Sequence, residues 1–303
     1  MNATSVPARP VERAPSRAQR TGAVETFGRG RIHLVFVGGM AVYLTLPFLA
    51  TLLYSLATVW RNRAFPDGLT IRWWTQTLTD DRLLAAVTRS TVLALLTTLV
   101  VNLVVLPALY WAHVRRWGLR TFMQLCALLP FALPFLVVAY GIKSVAQLTP
   151  WTQRFESSTL LLLIGHVALA FPFLLWAADG GMAAANVRRL SQAAEVCGAG
   201  PLTTLLRVVI PNIRTGILTG SVLVFATSFG EYSVARVITG TSFETLPLWQ
   251  VSELNETAGN PNGVAVIAVA TFLLLLAMSI AIGRLAQQQV AGPLFGVWGR
   301  RDG

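Results

Sequence analysis

Thr91-Val-Leu-Ala-Leu-Leu-Thr-Thr-Leu-Val-Val-Asn-Leu-Val-Val-Leu-Pro-Ala-Leu-Tyr-Trp-Ala112 runs for 22 residues without a charged side chain. As a helix rising about 1.5 Å per residue it reaches roughly 33 Å, enough to cross the ~30 Å hydrocarbon core of a bilayer. A single run of this kind also suits the core of a large soluble protein. The rest of the chain removes that reading. Val35 to Leu56, Thr121 to Ile142, Ser157 to Ala178 and Gly263 to Gly283 are likewise uncharged apart from His166, and Thr215 to Ala235 carries only Glu231 near its end. Barrel strands alternate in polarity over about ten residues, and lipid permits no third way of satisfying a spanning backbone. The prediction is an all-α polytopic membrane protein with six transmembrane helices. Composition agrees: 54% of residues are hydrophobic and only 12% charged, where a soluble protein has about 25% charged.

The formal charge of +11 reads as topology once it is located. Sixteen arginines and five acids fall in the tail to Arg31, in His113–Arg120, in Asp179–Arg214 and from Arg284 onward, leaving eight basic and eight acidic residues for the other face. The whole excess therefore sits on one face, and the positive-inside rule predicts both termini in the cytoplasm. Residues 1–31, rich in Arg, Ala, Pro and Ser, read as a disordered cytoplasmic tail, 32–284 as the membrane domain and 285–303 as a second cytoplasmic tail. The six tail arginines are spaced out and lack interleaved aromatics, which argues against nucleic acid as a partner; membrane lipid is the surrounding medium. The first apolar run exceeds a signal-peptide core, so it reads as an uncleaved anchor.

Catalytic and nucleotide motifs are missing from the sequence. There is no Gly-rich phosphate loop ending in Gly-Lys-Ser/Thr, no Gly-x-Ser-x-Gly elbow and no His-Glu-x-x-His. Three scattered histidines, with Cys126 in the third span and Cys197 in a cytoplasmic loop, have no metal-ligand spacing and favour no disulfide. The expectation is a non-enzyme without cofactor or metal.

The longest structured stretch outside the spans is 186–211, between the fourth and fifth helices: Asn-Val-Arg-Arg-Leu-Ser-Gln-Ala-Ala-Glu-Val-Cys-Gly-Ala-Gly-Pro-Leu-Thr-Thr-Leu-Leu-Arg-Val-Val-Ile-Pro. Helix formers over Arg188–Cys197, glycines at 198 and 200 and a proline at 201 predict a short helix, a turn and a second helix to about Val209, ended by Pro211. Small Ala193 and Ala194 allow another surface to approach closely, and Gly198 permits the reversal. Leu202, Leu205, Leu206 and Val209 recur at helical spacing.

Gln192-Ala193-Ala194, three residues, Gly198, nine residues, then Val208-Val209-Ile210-Pro211 resembles the Glu-Ala-Ala, three residues, Gly, nine residues, Ile-x-Leu-Pro loop of binding-protein-dependent permeases of type I ATP-binding cassette importers, with Gln192 standing where the family has Glu and Val208 and Ile210 where it has Ile and Leu. The resemblance implies that this loop is the coupling helix seated in a separate ATPase subunit. It implies that Gln192, Ala193, Ala194, Gly198, Pro201, Leu205, Ile210 and Pro211 build it, and that Leu205, Leu206, Val209 and the Arg207 face either dock the ATPase or anchor the hairpin. It further implies that ATP is bound by that partner and that cargo comes from an extracytoplasmic solute-binding protein. It implies as well a bacterial inner membrane as the location and a second permease subunit that completes the path, a heterodimer being preferred to a homodimer.

An ionisable residue inside a span marks a functional position. Glu231, beside Gly230 in Ser228-Phe-Gly-Glu-Tyr232, has two readings: a pathway carboxylate that attracts a cationic solute, or half of a structural pair with Arg236 or Lys143. Phe-Gly-Glu here resembles the polyamine, thiamine and ferric-iron branch of these permeases, which implies a small polar solute, best a polyamine such as spermidine or putrescine. The alternatives are thiamine, ferric iron or phosphonate through the same class of importer, or a secondary carrier driven by an ion gradient. His166, Asn102 and Gln124 read as inter-helix polar contacts. The Pro130 and Pro134 pair is expected to bend the third helix along a pathway. On the outer face, the stretch from Trp73 and Trp74 to Leu84 reads as one interfacial helix. Glu244, Glu253 and Glu256 read as a solvated face or a contact for the binding protein.

Overall fold

The computed structural model describes residues 25–60, 65–115, 117–148, 158–256 and 259–291. Every element longer than a turn among them is helical: α1 Glu25–Leu56, α2 Arg72–Leu78, α3 Asp81–Val114, α4 Trp117–Ala132, α5 Phe135–Ala146, α6 Thr159–Ala184, α7 Val187–Val196, α8 Pro201–Asn212, α9 Arg214–Phe229, α10 Ser233–Thr239, α11 Leu246–Asn255 and α12 Pro261–Ala291. Among the described residues four helices are individually long and apolar enough to cross a membrane, and the count rises to six when each of two sharply bent pairs, α4 with α5 and α8 with α9, is taken as one span.

Helix ends differ from the apolar runs because a helix does not stop where its hydrophobic residues stop. The chain is helical from Glu25, within the stretch 1–31 expected as a tail, and residues 1–24 lie outside the described residues. At the other end α12 continues to Ala291, within the stretch 285–303 expected as a tail, and residues 292–303 are also outside them. Ahead of Thr91, α3 begins at Asp81, where the Asp80 side chain accepts the Arg82 amide and caps the first turn. That cap splits the expected interfacial helix in two, leaving α2 as seven residues. Both α2 indoles are anchored by protein: Trp73 Nε1 donates to the Ala57 carbonyl at 2.8 Å and Trp74 Nε1 to Ser55 Oγ at 3.3 Å.

The chain divides at Leu53 into two units. In the first, α1 carries no charge from Leu34 onward, and its Thr45 and Thr51 hydroxyls donate back to the carbonyls of Ala41 and Pro47, leaving no hydroxyl open to lipid at those positions. In the second unit α3, α6 and α9 pack on one another at the centre. Glycine makes the closest of these contacts. A Cβ at Gly216 would lie 2.7 Å from the Ala177 carbonyl oxygen, and one at Gly220 would lie 2.9 Å from Leu174 Cα. Backbone atoms cannot rotate away, so small residues set this helix spacing. Polar side chains bridge the same three helices as expected: Asn102 Nδ2 donates to Ser221 Oγ at 2.9 Å, and His166 Nδ1 lies 2.8 Å from Ser228 Oγ, which in turn reaches Thr97.

The third expected span is not continuous. Pro134 has no amide to donate and disfavours helical backbone at Leu133; Pro134 itself is extended (φ −58°, ψ 136°), and α5 leaves at 107° to α4. Pro130 stays inside α4, so of the proline pair only Pro134 makes the break. The fifth run is interrupted as well: α9 ends at Phe229, Gly230 to Tyr232 are non-helical, and α10 packs against α5.

Candidate functional site

The hairpin of α7 and α8 turns on a single glycine. Gly198 has φ +82°, its amide donates to Glu195 O at 2.9 Å, and the Ala199 amide reaches back to Ala194 O at 3.0 Å. These are the paired bonds of a Schellman C-cap, whose left-handed residue is ordinarily glycine. Gly200 then leads into Pro201, which opens α8 as its first residue. Contrary to expectation, Pro211 does not end this helix. Leu205–Val209 form a π-helical turn in which Ile210 N–H bonds Leu205 O. The wider turn relieves the clash that a proline ring makes with the preceding turn's carbonyls, and the helix runs on to Asn212. Asn212 Nδ2 donates to the Val208 carbonyl at 2.7 Å, and α9 starts beyond Ile213 at an 82° bend.

Helical spacing splits the hairpin into two faces. Val187, Ser191, Thr204, Leu205 and Val209 are buried, and the apolar members join one core with Tyr110 of α3, Ala127 of α4, Met182 of α6 and Ile213. The opposite face presents Val196, Leu202 and Leu206, which are 89%, 67% and 54% exposed. Around them stand exposed Arg188, Arg189 and Arg207. Leu205 and Val209 thus anchor the hairpin, whereas Leu206 points out. Gln192, Ala193, Gly198, Pro201 and Pro211 are exposed, with Ala194 and Ile210 half-buried.

A charged knot that sequence reading missed lies at the hairpin end of the bundle. Asp179 sits within α6, not in the loop where the charge count placed it, and is 7% exposed. Arg120 donates to it through Nε (2.7 Å) and a second guanidinium nitrogen (2.8 Å), Gln124 Nε2 donates at 3.0 Å, and His113 Nε2 lies 2.8 Å from Oδ1. Its partners come from α3 and α4, and Gln124 finds its inter-helix bond here.

Glu231 occupies the break between α9 and α10 and is 8% exposed. Its Oε1 accepts the Val234 amide at 3.0 Å, so the carboxylate satisfies the start of α10. Among the described residues it forms no ion pair with Arg236 or Lys143. Lys143 instead donates to the Val237 carbonyl at 3.0 Å, near the C-terminal end of the same short helix. Each charge thus lies at the end of α10 whose partial charge opposes it. Gly230 adjoins this break as the C-cap of α9, its amide bonded to Ala226 O.

At the far end of the bundle the three glutamates are not simply solvated. Arg82 binds Glu244 at 2.7 Å, Glu256 at 3.3 Å and Glu253 at 3.5 Å, and also donates to Ser252 Oγ. Arg89 donates to the Glu244 backbone, and Ser90 Oγ accepts the Leu246 amide at 2.7 Å, clipping the segment ahead of α11 onto α3. A cleft of about 510 Å³ opens beside this network, lined also by Tyr232, Arg236 and Asn255.

A bundle of apolar spans, with a two-helix hairpin between the fourth and fifth that leaves Val196, Leu202 and Leu206 exposed, defines a polytopic membrane protein. Residues 105–290 match the family described as binding-protein-dependent transport system inner membrane component, and the chain belongs to that family: it is the permease subunit of an ATP-binding cassette importer, a transport protein and not an enzyme. It is 25% identical over 247 residues, 82% of this chain and 90% of the relative, to the spermidine/putrescine transport system permease protein PotC of Escherichia coli. A probable molybdenum ABC transporter permease of Haloferax volcanii is 29% identical over 211 residues, 66% of this chain and 76% of that protein. In fold it is similar to a chain in the crystal structure of a bacterial ABC transporter involved in the import of the acidic polysaccharide alginate, with a TM-score of 0.64 at 16% identity, covering 90% of this chain and 99% of that one.

Proposed function

We propose that the chain forms half of the translocation pathway of an importer and takes its motion from a separate ATPase through the hairpin 186–211, with both termini in the cytoplasm. The observation that carries this reading is the two-faced hairpin: one face sealed into the core of the bundle, the other holding Val196, Leu202 and Leu206 in the open. Three large apolar side chains on one small element mark a site for protein contact. Two charge-introducing changes test it. Leu202→Glu with Leu206→Glu abolishes co-purification of the ATPase and leaves the thermal stability of the permease unchanged, because neither side chain is buried. Leu205→Ala, by contrast, lowers stability by about 2–5 kcal/mol through the cavity it leaves. Full ATPase capture by the double Glu variant overturns the assignment.

The second half of the pathway is assigned to a sister permease, giving a heterodimer, and cargo to a solute-binding protein. For the cargo we favour a polyamine, supported by the resemblance to PotC across 82% of the chain. Uptake of labelled spermidine by vesicles holding the assembled transporter checks this. Selective uptake of an oxyanion such as molybdate instead would move the assignment to that branch of the family. Uptake driven by an ion gradient in vesicles without any ATPase would replace the importer reading with a secondary carrier.

A further inference from the structure

The hairpin is joined to the membrane helices by very short connections. Only Ala185 and Asn186 separate α6 from α7, with Asn186 in left-handed backbone (φ 49°), and only Ile213 separates α8 from α9. Helices α6 and α9 are pressed together at Gly216 and Gly220. A displacement of the hairpin therefore passes directly to α6 and α9. The hairpin also meets α3 and α4 directly, by packing on Tyr110 and Ala127 and through Arg115, 3.8 Å from Glu195; what these contacts leave open is a buried, directional route from α6 to α3 and α4, which carry the chain on to the break at Pro134.

The Asp179 knot supplies that route. Asp179 lies on α6 one turn before Met182, which packs in the same core as Val187, Leu205 and Val209 of the hairpin. Its two oxygens take donors from both neighbouring helices: Arg120 and Gln124 of α4, and His113 from the last turn of α3. A buried carboxylate is tolerated when every acceptor site is filled, and here two oxygens face four donor groups at 2.7–3.0 Å. The bidentate Arg120 pair fixes angle as well as distance, so α4 is prevented from rolling on α6. Farther along, Phe131 of α4 stacks on Trp176 and meets Phe173 edge-on, giving α4 a second point of attachment to α6.

We infer that Asp179 is a positioning residue of the transport cycle: it locks α3, α4 and α6 into one body at the hairpin end, so that a push on the hairpin moves α4 together with α6. This rests on the coupling role proposed for the hairpin. The test uses the complete transporter in lipid nanodiscs, with Cys126 and Cys197 replaced by serine and spin labels placed at position 212 on α8, away from the proposed docking face, and position 125 on α4, both exposed. Pulsed electron spin resonance then measures their separation without nucleotide and in the ATP-trapped state.

In the otherwise unaltered transporter the separation stays constant within ~1.5 Å, the rise of one helical residue. With Asp179→Asn it shifts or broadens on ATP trapping, and uptake per ATP hydrolysed falls about tenfold, while the ATPase still co-purifies. Asp179→Glu restores part of the uptake. A hairpin-to-α4 separation that changes with ATP while Asp179 is intact overturns the inference without the need for any variant to fold. So does an Asp179→Asn transporter with full uptake per ATP. Unchanged ATPase capture by the Leu202→Glu, Leu206→Glu variant would overturn the coupling reading itself, and this inference with it.

Discussion

Replacing Gly198 separates backbone strain from packing at the hairpin turn. Gly198 stands at φ +82°, and a Cβ built on it would meet no atom within 4 Å. A side chain there costs only what left-handed backbone costs an L-residue, about 1–2 kcal/mol. At 1.4 kcal/mol per tenfold, that raises the open population of the turn about 5- to 30-fold. The amides of residues 198 and 199, bonded to Glu195 O and Ala194 O, report it by hydrogen exchange. In the permease without its ATPase, Gly198→Ala and Gly198→Leu accelerate exchange equally, because neither meets a neighbour. Gly198→Asn does so less, since asparagine tolerates this region. With the ATPase present the series diverges: capture weakens from Ala to Leu to Trp if the partner occupies the open space beside the turn. Exchange that worsens with side-chain volume in the isolated subunit would refute the reasoning, as would an Ala variant indistinguishable from Gly.

Glu231→Gln keeps an oxygen for the Val234 amide and leaves stability nearly unchanged, whereas Glu231→Ala removes the cap and costs about 0.5–2 kcal/mol; thermal unfolding in detergent compares the two. Spermidine uptake by the Gln variant then isolates the charge, and uptake at the unsubstituted rate would end any role for Glu231 in attracting a cation. Arg82→Ala frees α11 from α3, seen as faster hydrogen exchange over Leu246–Asn255. Because the Arg82 side chain is largely solvated, this protection should also fall with added salt in the unsubstituted protein but not in the variant.

The spans could be read from sequence because apolarity over about 20 residues is a local property. So was the hairpin, whose glycine and proline punctuation specifies the turn from within ten residues. The Asp179 knot was not legible: its partners lie 55 to 66 residues away, and an aspartate beside Gly180 and Gly181 looks like the start of a loop. The same holds for Arg82, whose glutamates are 162 to 174 residues distant. Glu231 stood out by its isolation, yet its geometry follows from a helix break that its apolar surroundings conceal. Pro211 misled for a different reason. A proline normally stops a helix, and only tertiary packing of Leu205 and Val209 favours the π turn that lets this one continue.

The seven residues of α10 make two distant charges behave as one unit. Glu231 and Lys143 never touch, yet each faces the end of the same row of aligned peptide dipoles, so the removal of either leaves the other facing a dipole that is no longer balanced. Their effects should therefore be non-additive despite the separation. Within this unit the Glu231 and Lys143 charges offset each other, while the third charge, Arg236, is carried on the exposed side of the helix and lines the open cleft; a buried carboxylate and a half-buried ammonium are thereby compatible with a domain made almost wholly of hydrocarbon.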